Sequence, residues 1–262
     1  MKTRRSPLAI ALLLLFALAA PAPADDEVDE VGRRLLLGNR LEDAEAAVEH
    51  YQARVAADPE SYAARLGAAR ALNQLMAIRT NGNLPLFDGL QDTDAHRAIW
   101  ADLGARALAH ARVALAQRPG SVDAAAILAT SYMFNAASQG ILRSIVAGTA
   151  SEFRANAQRV IDLDPRYDDA VGHTLMAGFY LVAPWPVGDE QQALKHYQSA
   201  ERLVPDSVRI QYSLGVYWAR EGEPARARTH LESVIERPCT GNSERLLCDF
   251  MKREARRALA SL

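Results

Sequence analysis

The sequence predicts an all-α solenoid of antiparallel helical hairpins closed by a C-terminal helix, and three observations predict it. Alanine fills about a fifth of the 262 positions while β-branched and aromatic residues are sparse, a composition that favours helix over sheet. A spacing of small and aromatic residues followed by proline recurs along the chain. The 49% apolar, 24% charged composition is that of a chain able to bury a core. Charge excludes one class of partner. Against 32 Asp and Glu stand 30 Lys and Arg, and setting aside the first 24 residues, which hold Lys2, Arg4, Arg5 and no acid, leaves a balance of -5. Such a surface does not neutralise a phosphate backbone, so nucleic acid is not an expected partner.

Residues 1–24 read as a secretory signal peptide. Met1 to Ser6 is basic, Leu8 to Ala20 is apolar, and Ala22-Pro23-Ala24 offers a small-residue cleavage site before Asp25-Asp26-Glu27. The apolar run, about 13 residues, falls short of the roughly 20 that a membrane span needs, which disfavours an anchor. Thr3-Arg4-Arg5-Ser6 approaches a twin-arginine pattern, but Pro7 stands where that pattern wants an apolar residue. Cleavage after Ala24 would release a soluble protein into the periplasm with no stable membrane insertion. Residues 25–40 are then a lead-in, 41–238 the repeat domain and 239–262 a capping segment.

Within the repeat domain, Ala193, Tyr197, Ala200 and Pro205 stand at spacings of 4, 3 and 5; Leu214-Gly215 and Trp218 follow, and Ala227, Leu231 and Val234 repeat the first spacing. The small residue lets two helices approach, the aromatic fills the gap one turn on, and proline stops the helix so that the chain reverses. Copies lie at Ala107, Ala111, Ala114 and Pro119 and at Phe153, Ala157, Val160 and Pro165, with Leu128-Ala129 and Tyr132 as an answering helix. Ala47, Tyr51 and Pro59 keep the frame with Arg54 in the small slot, and Leu66-Gly67 follows two residues early. The frame prolines are spaced more widely than a period of about 34 residues, so extra residues are expected at Thr80 to Asp94, around Ser138 to Ser151 and at Val182 to Asp189. Ser121, Asp189 with Gln192, and Pro224 mark helix starts. The run Glu244 to Ala260, with Leu247, Met251 and Ala255 on one stripe, is expected to close the solenoid.

The chain's two cysteines, Cys239 and Cys248, pair most simply as a disulfide in an oxidising compartment; a metal reading lacks two further ligands nearby. The six histidines, His50, His96, His110, His173, His196 and His230, form no HExxH and no pair at i,i+4. Asp162, Asp164, Asp168 and Asp169 crowd one helix junction without the spacing of a calcium loop. Neither a glycine-rich phosphate loop nor a nucleophile elbow is present. No catalytic residue, metal or cofactor is expected, and the chain is read as not an enzyme.

On these residues the chain resembles the tetratricopeptide repeat family over about 200 residues, most fully from Ala193 to Val234. The signal peptide, the widened hairpins, Ala183-Pro184-Trp185-Pro186-x-Gly188-Asp189 leading into Ala193 and Tyr197, and a late Ala-Arg-x-x-Leu pair of turns further resemble the T component of periplasmic TRAP-type transporter systems. The family resemblance implies a concave groove lined by the first helix of each hairpin. It places there Asp123, Ala126, Thr130, Met133 and Phe134 from the Ala129 frame. The Gly178 frame adds Gly172, Leu175, Phe179, Val182 and Ala183, and the Gly215 frame adds Arg209, Tyr212, Val216, Ala219 and Arg220. Met133, Phe134, Leu175, Phe179, Tyr212, Arg209 and Arg220 are therefore candidate groove residues. The apolar character of Met133, Phe134, Leu175, Phe179 and Tyr212 points to a hydrophobic small ligand, to self-association, or to a helix laid across the face, against the alternative that long helices bury the face against their neighbours. Trp185, held between Pro184 and Pro186, is either an anchor for a partner or a plug between hairpins. The expected function is that of an exported, non-enzymatic adaptor or ligand-handling accessory with a protein partner, which the second resemblance implies to be a component of a TRAP-type transporter. The alternative is an interaction scaffold for cell-envelope assembly.

Overall fold

The computed structural model describes residues 29–80 and 93–262; the expected signal peptide and most of the expected loop from Thr80 to Asp94 lie outside the described residues. Among the described residues there are twelve helices and no strand. In chain order they are α1 (Glu30–Leu37), α2 (Leu41–Ala57), α3 (Tyr62–Arg79), α4 (Asp94–Gln117), α5 (Val122–Gln139), α6 (Ile141–Val146), α7 (Thr149–Leu163), α8 (Tyr167–Val182), α9 (Glu190–Leu203), α10 (Val208–Arg220), α11 (Pro224–Glu236) and α12 (Asn242–Ser261). They pack as hairpins, α1 with α2, α3 with α4, α5 with α7, α8 with α9 and α10 with α11, while α6 is a short link and α12 lies on α10 and α11. The first helix of each hairpin also meets the first helix of the next, α1 with α3, α3 with α5, α5 with α8 and α8 with α10, and this makes an inner layer. The architecture is thus an all-α solenoid of hairpins closed by a terminal helix. No helix among the described residues is long and apolar enough to cross a membrane.

Junction chemistry explains the repeat. Helices α2, α4, α7, α9 and α11 each end two residues before a proline, at Pro59, Pro119, Pro165, Pro205 and Pro238, because the ring forces the preceding residue out of helical geometry. After three of these prolines a serine caps the next helix: Ser61 accepts from the Ala64 N–H, Ser121 from the Ala124 N–H and Ser207 from the Ile210 N–H. The junction at Pro165 departs from this rule. Tyr167 stands where serine would be, α8 has no side-chain cap, and Asp168, Asp169 and Ala170 take left-handed φ of 44°, 56° and 55°. Arg209 of α10 answers that distortion by donating to the Asp168 and Asp169 carbonyls.

Small residues at the crossings set the close packing. Ala107, Ala111 and Ala114 of α4 and Ala193 and Ala200 of α9 are fully buried. A β-carbon at Gly67 would collide with the Tyr51 ring, so α2 and α3 approach as closely as they do only because Gly67 has none. The expected insertions resolve into local structure: residues 138–151 contain α6, and residues 183–189 form a turn with a cis Trp185–Pro186 bond. The expected lead-in, residues 25–40, contains α1, which is the first helix of the first hairpin. Cys239 and Cys248 are joined by a disulfide with a Cα–Cα distance of 5.9 Å.

Candidate functional site

The inner layer forms a half-open cavity of about 600 Å3. Its walls are mainly apolar: Leu36 and Leu37 of α1, Ile127, Met133 and Phe134 of α5, Val171 and Leu175 of α8, and Leu246 and Leu247 of α12. The first and last described helices therefore both reach it. Helix α1 is held in place at its start, where the Asp29 carboxylate accepts from the Gly32 N–H at 2.9 Å and pairs with His50 and Arg54 of α2. Burial opposes the Asp29 charge, but the Gly32 N–H, His50 and Arg54 outweigh it and hold the carboxyl down to about 2. At the other end of α1, Gln74 of α3 donates to the Gly38 carbonyl at 2.6 Å.

Polar groups converge on the same cavity. Arg70 of α3 donates to Asp123 Oδ1 of α5, and the Tyr167 hydroxyl of α8 donates to the same oxygen at 2.7 Å. Burial works against the Arg70 charge, and Asp123 more than restores it, so the guanidinium stays protonated. Burial, then Asp123, pushes the Tyr167 hydroxyl above its ordinary value, so it remains a donor. Asn73 is occupied with Ser131 and the Ile127 carbonyl, and Thr130 donates to the Ala126 carbonyl at 3.0 Å. Arg209 is 4% exposed and is engaged with the α8 backbone and with the Asp168 carboxylate at 3.7 Å.

All five groove positions of the Ala129 frame, Asp123, Ala126, Thr130, Met133 and Phe134, lie on the cavity wall, as do Leu175 and Arg209. Phe179 does not. It is buried in the seam between α7 and α8, with its ring 5.7 Å from Phe153, because the distorted start of α8 sets the register so that Tyr167, Val171, Thr174 and Leu175 line the cavity. Tyr212 is also away from the cavity: α12 folds over this part of α10, and Phe250 meets the Tyr212 ring edge-on at 6.2 Å. Arg220 pairs with Glu190 at 3.3 Å and donates to the Leu181 carbonyl, bracing α10 against the α8–α9 hairpin. Trp185 is 89% exposed, so it plugs no seam. The crowded acids are spent locally: Asp162 accepts from Gln158, Asp164 from the Arg166 N–H, and Asp168 pairs with Arg209.

Arg70, Asn73 and Gln74 are wall residues to which the sequence pattern assigns no groove position, since Leu66-Gly67 arrives two residues early. Counting ten residues on from the junction proline makes Ala69, Ala129 and Gly215 equivalent, and on that register Arg70, Asn73 and Gln74 correspond to Thr130, Met133 and Phe134. Compared with known proteins, the chain matches no family model and no curated protein sequence.

Proposed function

We propose that the chain is an exported, non-enzymatic repeat protein that holds an apolar or amphiphilic small molecule between its inner helices. The observation that carries this reading is the cavity of about 600 Å3 with mainly apolar walls. Small-molecule sites are concave, largely apolar and on the order of 300–1,000 Å3, with a few polar groups that fix orientation. The resemblances to the tetratricopeptide repeat family and to the T component of TRAP-type transporters suggest the setting, in which the ligand is handed to or from a transporter component in the periplasm. The test uses the neutral dye Nile red. The wild-type protein is expected to bind it at one site, and Thr130→Trp, which fills the cavity from a half-buried position, is expected to weaken binding at least tenfold, roughly 1.4 kcal/mol, with the thermal midpoint retained. Absence of dye binding by the wild type, or equal binding by both proteins, would refute the reading.

The exposure of Trp185 favours a second role, as an adaptor docking a protein partner through the 183–189 turn. Trp185→Ser should then abolish co-purification of a partner from periplasmic extract while leaving dye binding intact. Retention of every partner by the variant would rule that role out.

A further inference from the structure

The polar corner of the cavity carries an inference about the ligand's head, which rests on the ligand-handling reading above. Arg70 projects into the interior from α3, yet its side chain keeps 39% of its surface accessible, because it opens on the cavity. Its recorded partner is Asp123 Oδ1, which it shares with the Tyr167 hydroxyl. A guanidinium carries five N–H donors in a planar fork, and among the described residues no acceptor other than Asp123 engages those of Arg70. The other cavity cations are differently placed. Arg209 is engaged by the α8 backbone and Asp168, and Arg33, at the rim, is bound to Glu30 in an exposed pair. Each of the three lining arginines thus has one carboxylate, Glu30 for Arg33, Asp123 for Arg70 and Asp168 for Arg209, and of the three Arg70 is the one that combines an interior position with an accessible guanidinium. Beyond this corner the surfaces are aliphatic: Ile127, Met133, Val171 and Leu175, with Leu246 and Leu247 from α12.

We propose that the cavity takes an amphiphile with a single carboxylate head, the head on Arg70 and an aliphatic tail against the α5, α8 and α12 walls. The part of the Arg70 guanidinium that Asp123 does not hold opens on a mostly apolar cavity, and a carboxylate matches the guanidinium fork with two parallel, charge-assisted hydrogen bonds. Asp123 and Tyr167 are positioning residues. Asp123 holds one edge of the guanidinium from α5, and the Tyr167 hydroxyl holds Asp123 from α8, so that together they fix the direction of the remaining N–H groups.

Displacement of Nile red by dodecanoate, dodecanol and dodecylamine tests the proposal, since the three share a tail and differ in the head. Dodecanoate is expected to bind at least about tenfold more tightly than dodecanol while its carboxylate is ionised, and dodecylamine most weakly. Arg70→Gln combined with Asp123→Asn removes the pair without leaving a lone interior charge, and is expected to abolish the preference for dodecanoate while leaving dodecanol affinity within about twofold. Asp123→Asn alone keeps the guanidinium and is expected to retain or strengthen the preference. Equal affinity for dodecanoate and dodecanol, strongest binding of dodecylamine, or a preference that survives the double variant would overturn the carboxylate assignment while leaving the apolar cavity reading standing. Failure of Nile red to bind at all would overturn both.

Discussion

Phe134 and Trp185 are aromatic side chains in opposite surroundings, at 1% and 89% exposure. Truncating Phe134 on the inner face of α5 removes a ring from a packed wall, so Phe134→Ala is expected to cost about 3–5 kcal/mol. The same change at Trp185 removes a ring from solvent and is expected to stay within about 0.5 kcal/mol. Urea denaturation of the two variants checks this, and a destabilised Trp185→Ala would mean that the turn is packed in solution. Sequence pattern reached Phe134 because α5 keeps a regular register ten residues past Pro119, so every position of its frame falls on the cavity. The same pattern placed no groove residue on α3 and so passed over Arg70, because Gly67 serves the close crossing with Tyr51 and does not mark the repeat register. At Phe179 it failed because Asp168, Asp169 and Ala170 leave helical geometry, and no local propensity announces three left-handed residues in a row.

Hairpins were legible as elements because proline stops and serine caps act within a few residues, and local chemistry is what a sequence displays most directly. The seam between α8 and α9 was less so, since it pairs two histidines 23 positions apart. His173 and His196 face each other Nδ1 to Nδ1 at 3.1 Å, and Tyr180 stacks on the His196 ring at 5.9 Å. Burial, and after it His173, pushes His196 down to about 4 from an ordinary 6.5; burial, and after it Arg202, pushes His173 below its ordinary value as well. On acidification the unfolded chain therefore takes up protons before the folded one. The seam's full contribution is present above pH 6.5 and is lost as pH falls from 6.5 through about 4. Asp29, with its carboxyl held down to about 2 from 3.8, adds its own loss only at lower pH. The thermal midpoint of the wild type should fall across the upper window. His196→Phe keeps a ring against Tyr180 but has no proton to gain, so its midpoint should fall less steeply there; parallel curves for the two proteins would refute the account.

At the scale of the whole molecule, the inner layer becomes a cavity only because the ends of the solenoid fold onto it, α1 through Leu36 and Leu37 and α12 through Leu246 and Leu247. The amphipathic stripe of α12 and its place as the closing helix were visible in the sequence, but that Leu246 and Leu247 also wall the cavity depends on long-range packing and was not. Leu247, Met251 and Ala255 are buried against Val208, Tyr212, Leu231 and Val234, and the Cys239–Cys248 disulfide ties the start of α12 to the segment leaving α11. Closing a loop of about ten residues restricts the unfolded chain by about 2.5–3 kcal/mol in the chain-entropy view. The bond also sits one residue beyond Leu247, so it secures a cavity wall as well as the fold. Replacing both cysteines by serine is therefore expected to lower stability by about that amount, to speed amide exchange over 242–262, and to weaken Nile red binding, while exchange in α4 and α5 stays slow. A general loss of protection throughout the solenoid would show that the bond stabilises the chain without holding the wall in particular. Unchanged exchange in α12 with unchanged dye affinity would show that the apolar stripe alone keeps the last helix over the cavity.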